Sequence, residues 1–280
     1  MLNEKQITSF RALVLDYYAA NKRDLPWRQT NDPYKIMVSE IMLQQTQVDR
    51  VIPKYLHWIE RFPNIEALAL SSLKEVLTHW SGLGYNRRGQ NLLKAAQLLE
   101  HAYAGSFESF KSARNLKKDP LTILPGIGSY TAAAIRAFAW NQPTIVVETN
   151  IRTVFIHHFF PNAIQPIEDK QLLPMLDATL DRKHPRDWYN ALMDYGAHLK
   201  SIVGNVSRKS KSYTKQSSFA GSNRQLRGKI LRYLLQNSPA DITLLPAELK
   251  EEDGRVEAVI AQLKREALLV VNEKNQISIK

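Results

Sequence analysis

Apolar positions along residues 1–205 recur mainly at helical spacing and are punctuated by Pro and Gly. The opening stretch sets Glu4, Lys5, Arg11 and Asp16 between apolar positions, the pattern of an amphipathic helix. Asp32 before Pro33 reads as an N-cap with proline at the first helical position. The helix that follows runs to about Gln45 and turns Ile36, Val38, Ile41 and Met42 inward. Pro53 interrupts or opens the next helix, which carries Tyr55, Trp58 and Ile59. Gly82 and Gly84 mark a turn before a long periodic segment from about Arg87 to Tyr103. Further helices are predicted from Gly128 to Trp140 and from about Trp188 to Ile202. Alternating strand patterns are scarce, so residues 1–205 are expected to form a mainly α domain.

The pattern changes after Gly204. Residues 206–222 are Ser-rich, basic and weakly apolar, which predicts a flexible basic linker. Residues 223–280 regain periodicity, with helices around Gln225–Gln236, Leu245–Glu251 and Arg255–Glu266. Two apolar stretches, Leu268–Asn272 and Gln276–Lys280, then flank a polar turn. Three helices and a hairpin form the plan of a winged helix, a variant of the helix-turn-helix. A small α+β cap with no nucleic-acid role fits the same pattern.

Charge and composition narrow the partners. Lys and Arg total 38 against 27 Asp and Glu, giving a net charge of +11. A folded chain with that excess is expected to meet a polyanion, of which nucleic acid is the commonest. There is no cysteine, which excludes disulfides, thiolate zinc sites, iron–sulfur clusters and cysteine nucleophiles. No charge-free apolar run approaches the ~20 residues of a membrane span. A cytoplasmic monomer is expected, associated with the nucleoid if the source is bacterial.

The stretch most informative about chemistry is Leu124-Pro125-Gly126-Ile127-Gly128, ahead of a helix opening Ser129-Tyr130-Thr131. Gly126 and Gly128 allow a tight turn whose backbone amides lie at a helix start, where they suit a phosphate oxygen. A Gly-Ile-Gly turn alone also serves ordinary helix corners. With Leu-Pro before it and Ala132, Ala133 and Ala134 after it, the stretch resembles a helix-hairpin-helix element, which grips the DNA backbone without reading sequence.

From Leu25 to Lys200 the chain resembles the helix-hairpin-helix base-excision DNA glycosylases, and within them the MutY-like adenine glycosylases. The resemblance is carried by Leu25-Pro26-Trp27-Arg28, Asp32-Pro33-Tyr34-Lys35, Ser39-Glu40-Ile41-Met42-Leu43-Gln44-Gln45-Thr46-Gln47-Val48 and Gly82-Leu83-Gly84-Tyr85, then by the hairpin and Ala191-Leu192-Met193-Asp194-Tyr195-Gly196-Ala197. It implies a two-lobed helix-hairpin-helix glycosylase domain, followed here by the small α+β winged-helix-like one, and hydrolysis of the bond between adenine and deoxyribose in double-stranded DNA holding a mismatch or damaged base. The base must first leave the stack, at a cost of a few kcal/mol. Glu40 matches the glutamate that protonates the departing base, and the apolar residues around it favour its protonated form. Gln45 would fill the gap beside the orphan base, Gln44 and Thr46 would lie near the pocket, and Trp27 and Arg28 would help to wall it. The resemblance also implies a monovalent cation on the hairpin carbonyls; no other metal and no cofactor is expected.

Several features depart from that family. Its second catalytic carboxylate is an aspartate, and here Glu148 stands in its place, two residues before Asn150. A fixed negative charge would still oppose a developing cation, but a displacement of ~1 Å can cost ~100-fold in rate. Glu148 is therefore either a working substitute, with Asn150 orienting it, or a mark of weakened activity. Bifunctional relatives carry a Schiff-base lysine where this chain has Tyr130, so no lyase step is implied. The cluster cysteines are missing, and a winged-helix-like segment stands where a β-rich 8-oxoguanine-reading domain is expected. Excision of another base (thymine or a damaged purine) and a DNA-structure binder are the alternatives.

Overall fold

A computed structural model describes residues 2–113, 118–216 and 218–280. The chain opens with α1 (Glu4–Asn21), α2 (Pro33–Leu43), α3 (Val48–Arg61), α4 (Ile65–Ala69) and α5 (Leu73–Trp80). The helices α6 (Arg87–Tyr103), α7 (Glu108–Ser112), α8 (Ser129–Trp140), α9 (Thr149–Phe159), α10 (Asp169–Thr179) and α11 (Pro185–Val203) follow. Then come α12 (Asn223–Gln236), β1 (Ala240–Asp241), α13 (Leu245–Leu249), α14 (Asp253–Arg265), β2 (Leu269–Val271) and β3 (Gln276–Ile279). The fold is mainly α. Pro53 lies inside α3 and neither breaks nor opens it.

The chain divides into two compact units. The first comprises residues 1–40, 110–122 and 127–215; the second comprises 41–109, 123–126 and 216–280.

In the first unit, α1 lays Phe10 against Phe155, Phe159 and Trp188, with ring centroids 5.0–6.0 Å apart. Arg11 donates to the carbonyls of Thr179 (2.9 Å) and Leu180 (2.6 Å), closing the end of α10. The buried Asp194 of α11 accepts a two-pronged bond from Arg28 (2.7 and 2.8 Å) and a further bond from Arg23 (2.6 Å). Its carboxyl sits below the usual carboxylate range because those guanidinium bonds outweigh its burial. The backbones of α11 and α9 approach closely at Gly196, where a built Cβ would lie 2.3 Å from the Asn150 carbonyl oxygen. Only glycine allows it.

The start of the basic stretch is tied to this unit. Ile167 donates to the Lys209 carbonyl and Lys211 donates back to Ile167, each at 2.8 Å. Lys211 also reaches Glu168 at 2.8 Å.

The second unit depends on one buried cation. Arg88, in the first turn of α6, donates to the carbonyls of Ile41 (2.8 Å), Met42 (3.0 Å), Leu83 (3.1 Å) and Gly84 (3.2 Å), and to the Thr46 hydroxyl (3.1 Å). It also bonds the Gln44 carbonyl at 2.5 Å. These are the orphan acceptors at the C-terminal end of α2 and in the 82–85 turn, where a cation complements the helix dipole. Burial pulls the guanidinium pKa down to about 10, so it stays charged at neutral pH.

The C-terminal segment shares this unit. Leu77 of α5 lies in one buried cluster with Leu226, Ile230, Leu234, Val259, Leu263 and Ile277. Gln90 of α6 donates to the Ala267 carbonyl at 2.9 Å. The three strands form an antiparallel sheet in the order β1-β3-β2, with Ala240 opposite Ile277 and Leu269 opposite Ile279.

Two stability predictions follow from these contacts. Arg88→Met is expected to cost about 3 kcal/mol or more in urea denaturation, because several buried carbonyls lose their donor; Arg88→Lys should recover only part, lacking the fork. Gly196→Ala is expected to cost about 1–3 kcal/mol, since α9 and α11 must separate to admit a methyl group.

Candidate active site

The first unit brings Glu40, Tyr130, Glu148 and Asn150 into one electrostatic neighbourhood. Glu40 lies on α2 among Met37, Val38 and Ile41, all buried, and is itself only 6% exposed. The Tyr130 hydroxyl, from the first turn of α8, donates to Glu40 Oε2 at 2.9 Å. Burial pushes the Glu40 carboxyl up to about 7; the Tyr130 bond opposes that rise and the Glu148 charge adds to it. The Tyr130 phenol is pushed well above its ordinary value by burial and by both carboxylates, so it stays protonated and donates.

Glu148 is the N-cap of α9. Its Oε1 accepts from the Ile151 amide at 2.8 Å, and Oε2 lies 3.5 Å from the Asn150 side-chain amide. Aspartate and asparagine are the usual caps, and the longer glutamate chain reaches the same third-residue amide. Burial raises this carboxyl too, but the amides of Thr149, Asn150 and Ile151 and the Arg152 charge pull the other way. Arg152 is held by Asp169 through two bonds of 2.7 Å. Two carboxyls thus feel one another in different settings. Glu40 has a hydroxyl donor and apolar walls; Glu148 has a helix N-terminus. Such a contrast separates an acid from a charge stabiliser.

The remaining predicted site residues fall in several places. Trp27 is buried, and the Arg28 guanidinium is engaged by Asp194. Gln44, Gln45 and Thr46 belong to the second unit, where Arg88 fixes the Gln44 carbonyl and the Thr46 hydroxyl. Gln45 is exposed and left-handed at φ 54, a conformation costly for a side-chain-bearing residue. Gly126 is left-handed at φ 86, where a Cβ would meet Asn91 at 3.0 Å; Gly128 is extended and caps the start of α8.

Two features escaped sequence reasoning. Arg88 carried no motif of its own, and nothing in the sequence sets it apart from the adjacent Arg87. His79, which has no partner by spacing, meets His57 with ring nitrogens 2.9 Å apart. Among the described residues no group of three or more His, Cys, Asp or Glu could hold a metal ion, and no helix is long and apolar enough to cross a membrane.

Residues 38–174 match the HhH-GPD superfamily of base excision DNA repair proteins. The chain is 39% identical over 188 residues to the adenine DNA glycosylase of Buchnera aphidicola subsp. Baizongia pistaciae, covering 67% of this chain and 52% of that relative. Against the human adenine DNA glycosylase it is 35% identical over 202 residues, 69% of this chain and 36% of that one. It therefore spans about half or less of the length of these two relatives. The adenine DNA glycosylase of Mycolicibacterium smegmatis is 34% identical over 253 residues, with 82% of this chain and 81% of the relative covered. Among solved structures, a thermostable thymine-DNA glycosylase superposes with a TM-score of 0.59 at 26% identity, over 69% of this chain and 87% of that one. Endonuclease III trapped as a covalent intermediate with DNA shares the fold, with a TM-score of 0.53 at 17% identity over 72% of this chain and 88% of that one. On this likeness to adenine DNA glycosylases, one of them over most of its length, the chain belongs to the HhH-GPD superfamily of base excision DNA repair proteins.

Proposed function

We propose that the chain is a monofunctional DNA glycosylase that removes adenine mispaired with guanine or 8-oxoguanine from double-stranded DNA. The observation that carries this reading is the buried Glu40 carboxyl at a pKa near 7, beside a second carboxyl capping a helix. With adenine out of the stack, Glu40 gives its proton to a nitrogen of the base. The bond from C1′ to the base breaks, and its electron pair leaves with the base. The Glu148 carboxylate opposes the positive charge that develops on the sugar. Water then adds to C1′ and returns a proton to the Glu40 carboxylate. Tyr130 orients the Glu40 carboxyl and, as a phenol, supplies no amine for a Schiff base, which supports hydrolysis without strand cleavage. The monovalent cation implied at the hairpin carbonyls takes no part in these steps.

The relatives favour adenine, as does the Gln44-Gln45-Thr46 string. Likeness to a thymine-DNA glycosylase at 26% identity supports a second reading, removal of mismatched thymine.

Single-turnover cleavage of duplexes holding adenine or thymine opposite guanine, or adenine opposite 8-oxoguanine, followed by alkali, tests the proposal. Adenine release is expected, slowed by ~10²–10⁴ in Glu40→Gln. In Glu148→Gln, which keeps an oxygen for the cap but loses the charge, a loss of ~10²–10³ is expected. Tight binding with no base released from any duplex would leave a DNA-structure binder.

Because the mechanism needs Glu40 protonated and Glu148 ionised, the rate should fall about tenfold per pH unit above about pH 7 and fall again in acid, where Glu148, raised by burial, takes up its proton. Stability carries the same signature. A folded pKa above the ordinary 4.5 means the native state holds more protons than the unfolded chain between about 4.5 and 7, so stability falls with pH across that window. Glu40→Gln removes that penalty. It should unfold like the wild type near pH 4 and be more stable by roughly 3 kcal/mol above pH 7, measured in urea.

A further inference from the structure

A cation stands where a helix disfavours one. Arg152 is the fourth residue of α9, and a positive charge in the opening turn opposes the helix dipole. Two anions account for its place. Glu148, the cap, precedes it by four residues, and the Arg152 amide donates to the Glu148 carbonyl at 2.8 Å. That spacing puts the two side chains on one face, a turn apart. Asp169, the first residue of α10, takes Nε and Nη2 of the guanidinium in a fork that fixes its plane and direction. The Arg152 side chain is 18% exposed and that of Asp169 35%, so solvent screens this pair less than an open surface pair.

Asp169 is braced in turn. Ser212 donates to its Oδ2 at 3.4 Å, and the segment that carries Ser212 is paired with Ile167 just ahead of α10. The guanidinium bonds hold the Asp169 carboxyl below its ordinary range, so the pair is ionised at neutral pH. The field of an ion pair with no net charge fades faster with distance than that of a lone cation. Arg152 acts on Glu148, one turn away, whereas the groups shown to act on Glu40 are Tyr130 and Glu148. Tyr130, from α8, also feels Glu148 and Arg152, and α11 meets this end of α9 with the uncharged Gly196.

We propose that Arg152 is a positioning residue for Glu148, aimed by Asp169, and that it favours the anion at Glu148 without unseating the proton of Glu40. A lone cation there would draw both carboxyls toward ionisation; the pair reaches only the nearer one. Asp169 keeps the guanidinium from swinging out into solvent. This inference rests on the reading of Glu148 as the anion that opposes charge on the sugar.

Carbon-13 titration of side-chain-labelled glutamate, with Glu148→Gln assigning its signal, tests the placement without any base being released. Arg152→Met should raise the Glu148 midpoint by about one pH unit and leave that of Glu40 nearly in place. Arg152→Lys, which keeps the charge, should restore most of the difference. Asp169→Asn keeps one acceptor but loses the fork, and should raise the Glu148 midpoint by a smaller amount. In single-turnover release of adenine, the acid limb of the pH–rate profile should move by the same amounts. A mere tie between α9 and α10 would lower the unfolding temperature of Arg152→Met and leave the Glu148 midpoint unmoved. That result would overturn the proposal, as would a fall of the midpoint in Asp169→Asn. Shifted midpoints in a protein that releases no base would support the placement and count against excision.

Discussion

A carboxyl group kept dry is the constraint on which the chemistry of the first unit depends. Water would hold Glu40 ionised at neutral pH; apolar neighbours on α2 raise its pKa to about 7. The cost of burying it is limited by one hydroxyl donor, Tyr130, which can serve either protonation state of the carboxyl. Glu148 experiences the same burial with the opposite remedy, since the α9 amides and Arg152 favour its charge. The unit thus gives two buried carboxyls different surroundings: both are raised by burial, and only Glu148 has a helix N-terminus that opposes the rise. That placement relies on packing. Gly196 lets α11 touch the backbone of Asn150, and Asp194 gathers Arg23 and Arg28 on the same helix.

The second unit solves a different problem. The end of α2 and the 82–85 turn expose carbonyls away from water, and Arg88 satisfies them as a single buried cation. No carboxylate is among the partners shown for it; carbonyl and hydroxyl oxygens do the work, assisted by the helix dipole. With that cage in place, Gln45 and Tyr85 are held in left-handed conformations beside the C-terminal segment. Burial of Leu77 with the apolar residues of α12, α14 and β3 anchors that segment.

Most helices were legible in the sequence because apolar spacing and Pro–Gly punctuation agree. The segment from Arg87 to Tyr103 matches α6 from end to end, and the Gly128–Trp140 prediction is one residue longer than α8. Motifs located Glu40 and Glu148, yet they could not show that Tyr130 bonds Glu40 or that Glu148 caps a helix. Those facts depend on contacts 90 residues apart and on the reach of a side chain. Arg88 was illegible for a related reason. Its partners are backbone carbonyls, which leave no mark on residue identity. Which stretches make up each of the two units was hidden as well, because each gathers segments far apart in the chain.

The central claim is that Glu40 holds its proton near neutral pH. Carbon-13 NMR titration of side-chain-labelled glutamate would read it directly, with Glu40→Gln assigning the signal. A midpoint close to 7 for that one carboxyl, with surface glutamates near 4.5, is the predicted result. A Glu40 midpoint near 4.5 would contradict it and remove Glu40 as the acid.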